Sequence, residues 1–202
     1  MPDFVEIVIA SKNVHKIREY KEMLREIVNL DILSLLDFPN YIVKEEGGIS
    51  FQDNAKKKAL NAAKELNRWV LADDSGLVVP ALNKEPGLYS ARYAGKDATY
   101  ADNRKKLLAN MEKLEDEDRN AFFECHIALS SPEYLKKVVF AICEGRIVEK
   151  EKGGGGFGYD SLFVKNGYSK TFAELDSSIK NRISHRRKAF DKIKPFLETL
   201  FI

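Results

Sequence analysis

The sequence predicts an α/β fold built around a mixed sheet, on three observations. Short apolar runs of strand character alternate with segments whose apolar residues recur at helical spacing. Two later runs, 121–130 and 137–144, are joined through Ser131-Pro132-Glu133-Tyr134 and read as an antiparallel hairpin, which makes the sheet mixed. The residues best suited to chemistry fall where strands end, the usual place of ligand sites in α/β proteins. The 202 residues are 44% hydrophobic with only 12 Gly and 6 Pro, enough apolar side chain for a sizeable core. No repeat or long linker divides the chain, so residues 1–202 are read as a single α/β domain.

In chain order, 4–10 is an apolar strand, and Ile17, Tyr20, Leu24, Ile27 and Val28 then recur at helical spacing. A second strand is expected over 30–35. Ser50 with Asp53 three residues on forms a variant capping box for a helix that turns Phe51, Ala55, Ala59, Ala62, Ala63 and Leu66 inward. Residues 69–72 form a short strand that hands over to a loop, Asp73-Asp74-Ser75-Gly76. A Gly/Pro-punctuated loop over 83–97 precedes a helix from Thr99, reciprocally capped by Asp102, to Leu114. The acidic run 112–119 is expected as a solvated connection. After the hairpin come a glycine cluster at 153–158, a strand over 161–164, a short polar helix over 173–181 and a final amphipathic helix from His185.

Composition narrows the function classes. Lys+Arg number 33 against 31 Asp+Glu, a net charge of +2, which disfavours a polynucleotide partner because such binding is driven by counterion release to a basic face. The opening MPDFVEIVIASKN has no basic region before its apolar stretch, so it reads as a strand and not as a signal peptide. No window approaches the ~18 consecutive apolar residues of a membrane span; a cytoplasmic protein without a membrane partner is expected. Cys125 and Cys143 each sit in an apolar run and read as buried structural thiols.

Five segments carry candidate chemistry. Ser11-Lys12-Asn13-Val14-His15-Lys16 lies where a strand meets a helix N-terminus, a place that stabilises anions, although Ser and Asn there are also ordinary caps. Glu45-Glu46 and Asp73-Asp74-Ser75-Gly76 offer carboxylates suited to a hard cation such as Mg²⁺ with substrate phosphates. In GGGGFGYD, glycine allows close backbone approach, Phe157 and Tyr159 offer faces for a base, and Asp160 an acceptor. KNRISHRRK places His185 and Arg186 at a helix N-terminus, where cations oppose the dipole unless something anionic or electron-rich arrives. Together the segments describe a nucleoside triphosphate site.

At these residues the chain resembles the inosine triphosphate pyrophosphatase family, house-cleaning hydrolases of non-canonical purine nucleoside triphosphates. The resemblance runs through IVIASKNVHK, SFQDNAKKKA, ADDSGLVV, PGLYSARYAG, GGFGYDSLF and ISHR, in the family's order. It implies hydrolysis of ITP, dITP and XTP to the monophosphate and pyrophosphate, dependence on Mg²⁺, and a homodimer. It also implies a long mixed sheet flanked by helices, in two lobes with a central nucleotide-binding cleft. Residue by residue, it assigns Ser11, Lys12, Asn13, Val14, His15 and Lys16 to phosphate binding. Asp74 becomes general base and metal ligand, Ser75 a substrate contact, and Glu45 the second metal ligand, with Glu46 beside it as the alternative. Phe157, Gly158, Tyr159 and Asp160 are assigned to the base-binding segment, and Lys180, His185 and Arg186 to phosphates and base. Lys12 and His15 stand where many members have glycine, and Asp53 replaces the more usual glutamate before Asn54. Two other readings share parts of the pattern: a pyrophosphatase of modified pyrimidine nucleotides, and a non-hydrolytic nucleotide- or RNA-binding module.

Overall fold

The computed structural model of the chain describes residues 5–44 and 47–201. The expected Glu45 and its neighbour Glu46 therefore lie outside the described residues. The elements are β1 (Val5–Ile9), α1 (Val14–Leu24), β2 (Leu30–Ser34), α2 (Phe51–Leu66), β3 (Trp69–Val78), α3 (Tyr100–Asn110), β4 (Asn120–Ser130), β5 (Leu135–Ile147), β6 (Phe163–Lys165), α4 (Ser177–Ile183) and α5 (His185–Phe201). The six strands follow the order β2-β1-β3-β4-β5-β6. β1 pairs in parallel with β2 and β3, and β5 pairs antiparallel with β6, so the sheet is mixed as its sequence predicts.

The chain forms two compact units. The first comprises Met1–Asp74, Cys125–Ala141 and Ala189–Ile202, the second Ser75–Glu124 and Ile142–Lys188. The chain passes from one to the other inside β3, β4, β5 and α5.

In the first unit, strand alternation sorts the core onto two faces. Ile7, Ile9 and Leu71 pack with Ile17, Tyr20 and Leu24 of α1 and with Phe190, Ile193 and Leu197 of α5. Val8 and Val70 pack instead with Ala62 and Ala63 of α2, while Ala72 joins Ala55 and Ala59 of the same helix. The small residues let α2 lie close to the sheet. α1 stops at Leu24, short of the predicted Val28, where the Glu26 and Ile27 amides turn to the Met23 and Leu24 carbonyls, and Asn29 at φ 62° then leads the chain into β2; Ile27 stays buried and Val28 is exposed.

The second unit is built on Leu77, Val79, Phe123, Cys143, Phe163, Phe172, Leu107 and Met111. Phe123 stands at its centre, 4.8 Å from Phe163 and 6.1 Å from Phe172 between ring centroids. Both cysteines are fully buried, and burial pushes the Cys143 thiol upward.

Three predicted elements are corrected. Residues 73–76 are not a loop: β3 continues unbroken to Val78, because the carboxylates inside it have cationic partners described below. The helix predicted over 173–181 starts only at Ser177, since Thr171 bridges Val164 and the Ala173 N–H donates to the Asp160 carbonyl. The acidic run ends in a buried residue, Arg119, which donates to the carbonyls of Met111, Ile147 and Val148 at 2.9–3.1 Å; α3 therefore ends at Asn110 and not at Leu114.

Removing Arg119 leaves buried carbonyls without a donor. Arg119→Met is expected to lower the unfolding free energy by about 3 kcal/mol, read by urea titration. The Thr99–Asp102 capping box forms as expected, with Asp102 Oδ2 accepting from Thr99 Oγ1 at 2.6 Å and from Thr99 N at 2.9 Å. These bonds hold the Asp102 carboxyl below its ordinary 3.8. A lowered folded pKa adds stability that is present above the unfolded value and lost as pH falls through the folded one. The stability difference between wild type and Asp102→Asn is therefore expected to persist at pH 6 and to shrink below pH 4 in denaturant titrations.

Candidate active site

The first unit carries a switch point: β1 leads through α1 to β2 on one side, and β2 leads through α2 to β3 on the other. The two helices lie on opposite faces, and ligands of α/β sheets bind where strand order reverses in this way. Ile9 pairs with Leu71, and Ala10 N donates to the Leu71 carbonyl at 2.9 Å. Asp73 and Asp74 thus follow immediately beyond the end of β1, level with the start of the 11–16 turn.

Within that turn Asn13 caps α1, its Oδ1 accepting from the His15 and Lys16 amides at 3.0 and 3.3 Å, while Ser11 Oγ accepts from Asn13 N at 3.1 Å. Capping, the plainer of the two sequence readings, is therefore present. Lys12 Nζ reaches the Tyr41 carbonyl at 3.3 Å, and the Val14 side chain is exposed.

Adjacent strand residues face opposite ways, and the two aspartates follow this rule. Asp73 meets Lys16 of α1, with Nζ to Oδ2 at 2.9 Å. Asp74 meets α2: Lys58 Nζ lies 2.9 Å from Oδ1 and Asn54 Nδ2 2.9 Å from Oδ2. Both aspartates are buried. Lys58 and Asn54 were not singled out from sequence; their spacing i, i+4 on a helix opposite a buried aspartate is the signal that finds them.

In the second unit the predicted base-binding residues separate into a platform and its supports. Phe157 is half-buried, with Lys180 Nζ 4.7 Å and the Arg186 guanidinium 5.7 Å from its ring centroid. Arg186, 2% exposed, donates from Nη2 to Ser75 Oγ at 3.0 Å. Phe157, Ser75, Lys180 and Arg186 are thereby brought together. Asp160 is an internal anchor, accepting from Phe157 N at 2.8 Å and from Lys180 Nζ at 2.6 Å. Gly156 permits this at φ +72°, where a Cβ would collide with the Asp160 side chain.

Tyr159 and His185, both assigned to substrate binding, are buried. The Tyr159 ring is not a free face: it is 4% exposed in the core, its hydroxyl donates to the Ser90 carbonyl at 2.9 Å, and burial pushes its phenol upward. His185 is likewise buried, stacked on Phe123 at 4.6 Å. Gly158, at φ +62°, presents its carbonyl to Arg104 at 3.0 Å. The lysines assigned to phosphate have carboxylate partners, Asp73 for Lys16 and Asp160 for Lys180; an ammonium with three donors can serve a carboxylate and a phosphate together.

The sequence profile of the Ham1 family matches residues 7–196. The chain belongs to the Ham1 family. It is 59% identical over 197 residues to the dITP/XTP pyrophosphatase of Protochlamydia amoebophila, covering 97% of this chain and 99% of that protein. It is 47% identical over the same length to the dITP/XTP pyrophosphatase of Chlamydia trachomatis serovar L2, covering 97% and 94%. Among solved structures, the Ham1 protein of Staphylococcus aureus superposes with a TM-score of 0.84 at 42% identity over 96% of this chain and 99% of that one. The HAM1 protein of Coxiella burnetii gives 0.87 at 40% over 97% and 100%. The α/β fold with a mixed six-stranded sheet is therefore the Ham1 fold.

Asp160→Ala takes the buried carboxylate away from Lys180 and releases the Phe157 amide. It is expected to cost about 3–5 kcal/mol of unfolding free energy, measured in denaturant, whereas Asp160→Asn, which keeps an acceptor for Phe157, is expected to cost less.

Proposed function

We propose that this chain is a Mg²⁺-dependent nucleoside triphosphate pyrophosphatase that hydrolyses dITP, XTP and ITP to the monophosphate and pyrophosphate, removing non-canonical purines from the nucleotide pool. The observation that carries this reading is Asp74, a buried carboxylate gripped at both oxygens by α2 beside the β1–α1 turn. Identities of 59% and 47% over 97% of the chain with proteins named dITP/XTP pyrophosphatase support it. A homodimer in the cytoplasm without a polynucleotide partner belongs to the same proposal, the last supported by the balanced charge.

The donor set fits Mg²⁺: a hard carboxylate, with phosphate oxygens of the substrate to complete the shell, is the usual arrangement for this ion. Asp74 would hold it, joined by Glu45 or Glu46. When bound, the ion supplies neutralisation of charge on the triphosphate oxygens. Asp74 orients the attacking water and accepts its proton at a carboxylate oxygen. Lys58 and Lys16 add positive charge to the triphosphate, and the 11–16 turn helps to orient it.

Base recognition is assigned to the second unit. Phe157 offers its ring for stacking, and Arg186, fixed by Ser75, supplies donors suited to a 6-keto oxygen. Against a 6-amino group such donors stay unpaired, a mismatch that discriminates strongly.

A pyrophosphate-release assay over a panel of triphosphates, with and without Mg²⁺, tests the reading. Turnover of dITP, XTP and ITP is expected to exceed that of ATP at least 100-fold, on the order available to a mismatched buried donor, and to vanish on chelation or in Asp74→Asn. Comparable release from ATP and ITP would overturn the base assignment. A preference for modified pyrimidine triphosphates, or binding without release, would favour the two rival readings.

A further inference from the structure

We propose that Asn54 is a positioning residue that ties the backbone at Gly48 to the Asp74 carboxylate and so sets that carboxylate for reaction; the kinetic part of this inference rests on the function proposed above. Asn54 is 3% exposed and lies one turn inside α2. Its amide works at both ends: Oδ1 accepts from Gly48 N at 3.0 Å, and Nδ2 donates to Asp74 Oδ2 at 2.9 Å. The partners fix its orientation, since the reversed amide would set N–H against N–H and oxygen against carboxylate.

No other side chain of this length supplies both bonds. Aspartate would bring a second negative charge against Asp74, leucine has neither donor nor acceptor, and alanine is too short. Lys58, one turn further along α2, holds the other carboxylate oxygen. The carboxylate is thus held at both oxygens; Lys58 also reaches the Asp73 carbonyl at 3.2 Å, and Asn54 the backbone at Gly48.

Gly48 shows the other side of this contact. A Cβ there would overlap Asn54 Oδ1 and lie 3.1 Å from Asn54 Cγ. Its backbone is outside the left-handed region that favours glycine, so an alanine meets no φ strain, and besides the Asn54 side chain its Cβ would lie 3.1 Å from the Asn54 backbone nitrogen, a tight contact that a small shift relieves. Glycine is required at 48 because Asn54 occupies the space.

The inference predicts a dependence of one substitution on the other. Asn54→Ala is expected to lower kcat for dITP about 10- to 100-fold, the range for a misplaced reacting group, with KM within about threefold. Gly48→Ala, which pushes Asn54 off Asp74, is expected to do the same in the wild-type background and to cost little further in Asn54→Ala, a non-additivity expected of groups in contact. Independently of activity, protection of the Gly48 amide from hydrogen exchange is expected to fall at least tenfold in Asn54→Ala, with thermal melts confirming that each variant is folded. Unchanged kcat in folded Asn54→Ala overturns the proposal, as does an equal Gly48→Ala cost in both backgrounds or unchanged exchange. A wild-type chain that turns over no triphosphate removes the proposed function instead, and the exchange measurement then confirms or overturns the contact.

Discussion

Two adjacent carboxylates inside one buried strand must each find a cation, and strand geometry sends them to opposite faces. A single helix cannot serve both. Asp73 therefore requires Lys16 from α1, and Asp74 requires Lys58 and Asn54 from α2. An unpaired carboxylate in either place would cost several kcal/mol or lose its charge. The apolar residues before them obey the same alternation, Leu71 toward α1 and Val70 and Ala72 toward α2. The packing that closes the core thus also delivers the ammonium groups to the carboxylates.

The second unit uses the same device for a different end. Lys180 and Asp160, each about 5% exposed at the side chain, form a buried pair whose carboxylate also takes the Phe157 amide. A glycine-rich segment, expensive to order, is thereby held in one conformation with a half-buried ring. Tyr159 anchors the segment in the aromatic core through Ser90. Phe157 keeps a half-buried ring, with Arg186 beside it, fixed by Ser75. One aromatic is a surface because the other is a foundation.

The near-neutral charge acquires a location in these pairs. Lys16 with Asp73, Lys58 with Asp74 and Lys180 with Asp160 are balanced locally, in keeping with a chain of net charge +2.

The sequence by itself determined the α/β class, the caps at Asn13, Ser50 and Thr99, the burial of both cysteines and the segments on which the family resemblance rests, because these depend on local periodicity, capping chemistry and residue order. It misread 73–76 as a loop, since adjacent aspartates argue against a strand until their lysines are known, and those lie 57 and 16 residues away in the chain. It could not divide Phe157 from Tyr159, which are alike in type and differ only in what packs around them. Nor did it mark Asn54, Lys58 or Arg119, whose roles come from partners brought near by folding. What tertiary structure alone decided is which charges are paired and which rings are covered, because pairing and burial are properties of contacts between residues far apart in sequence.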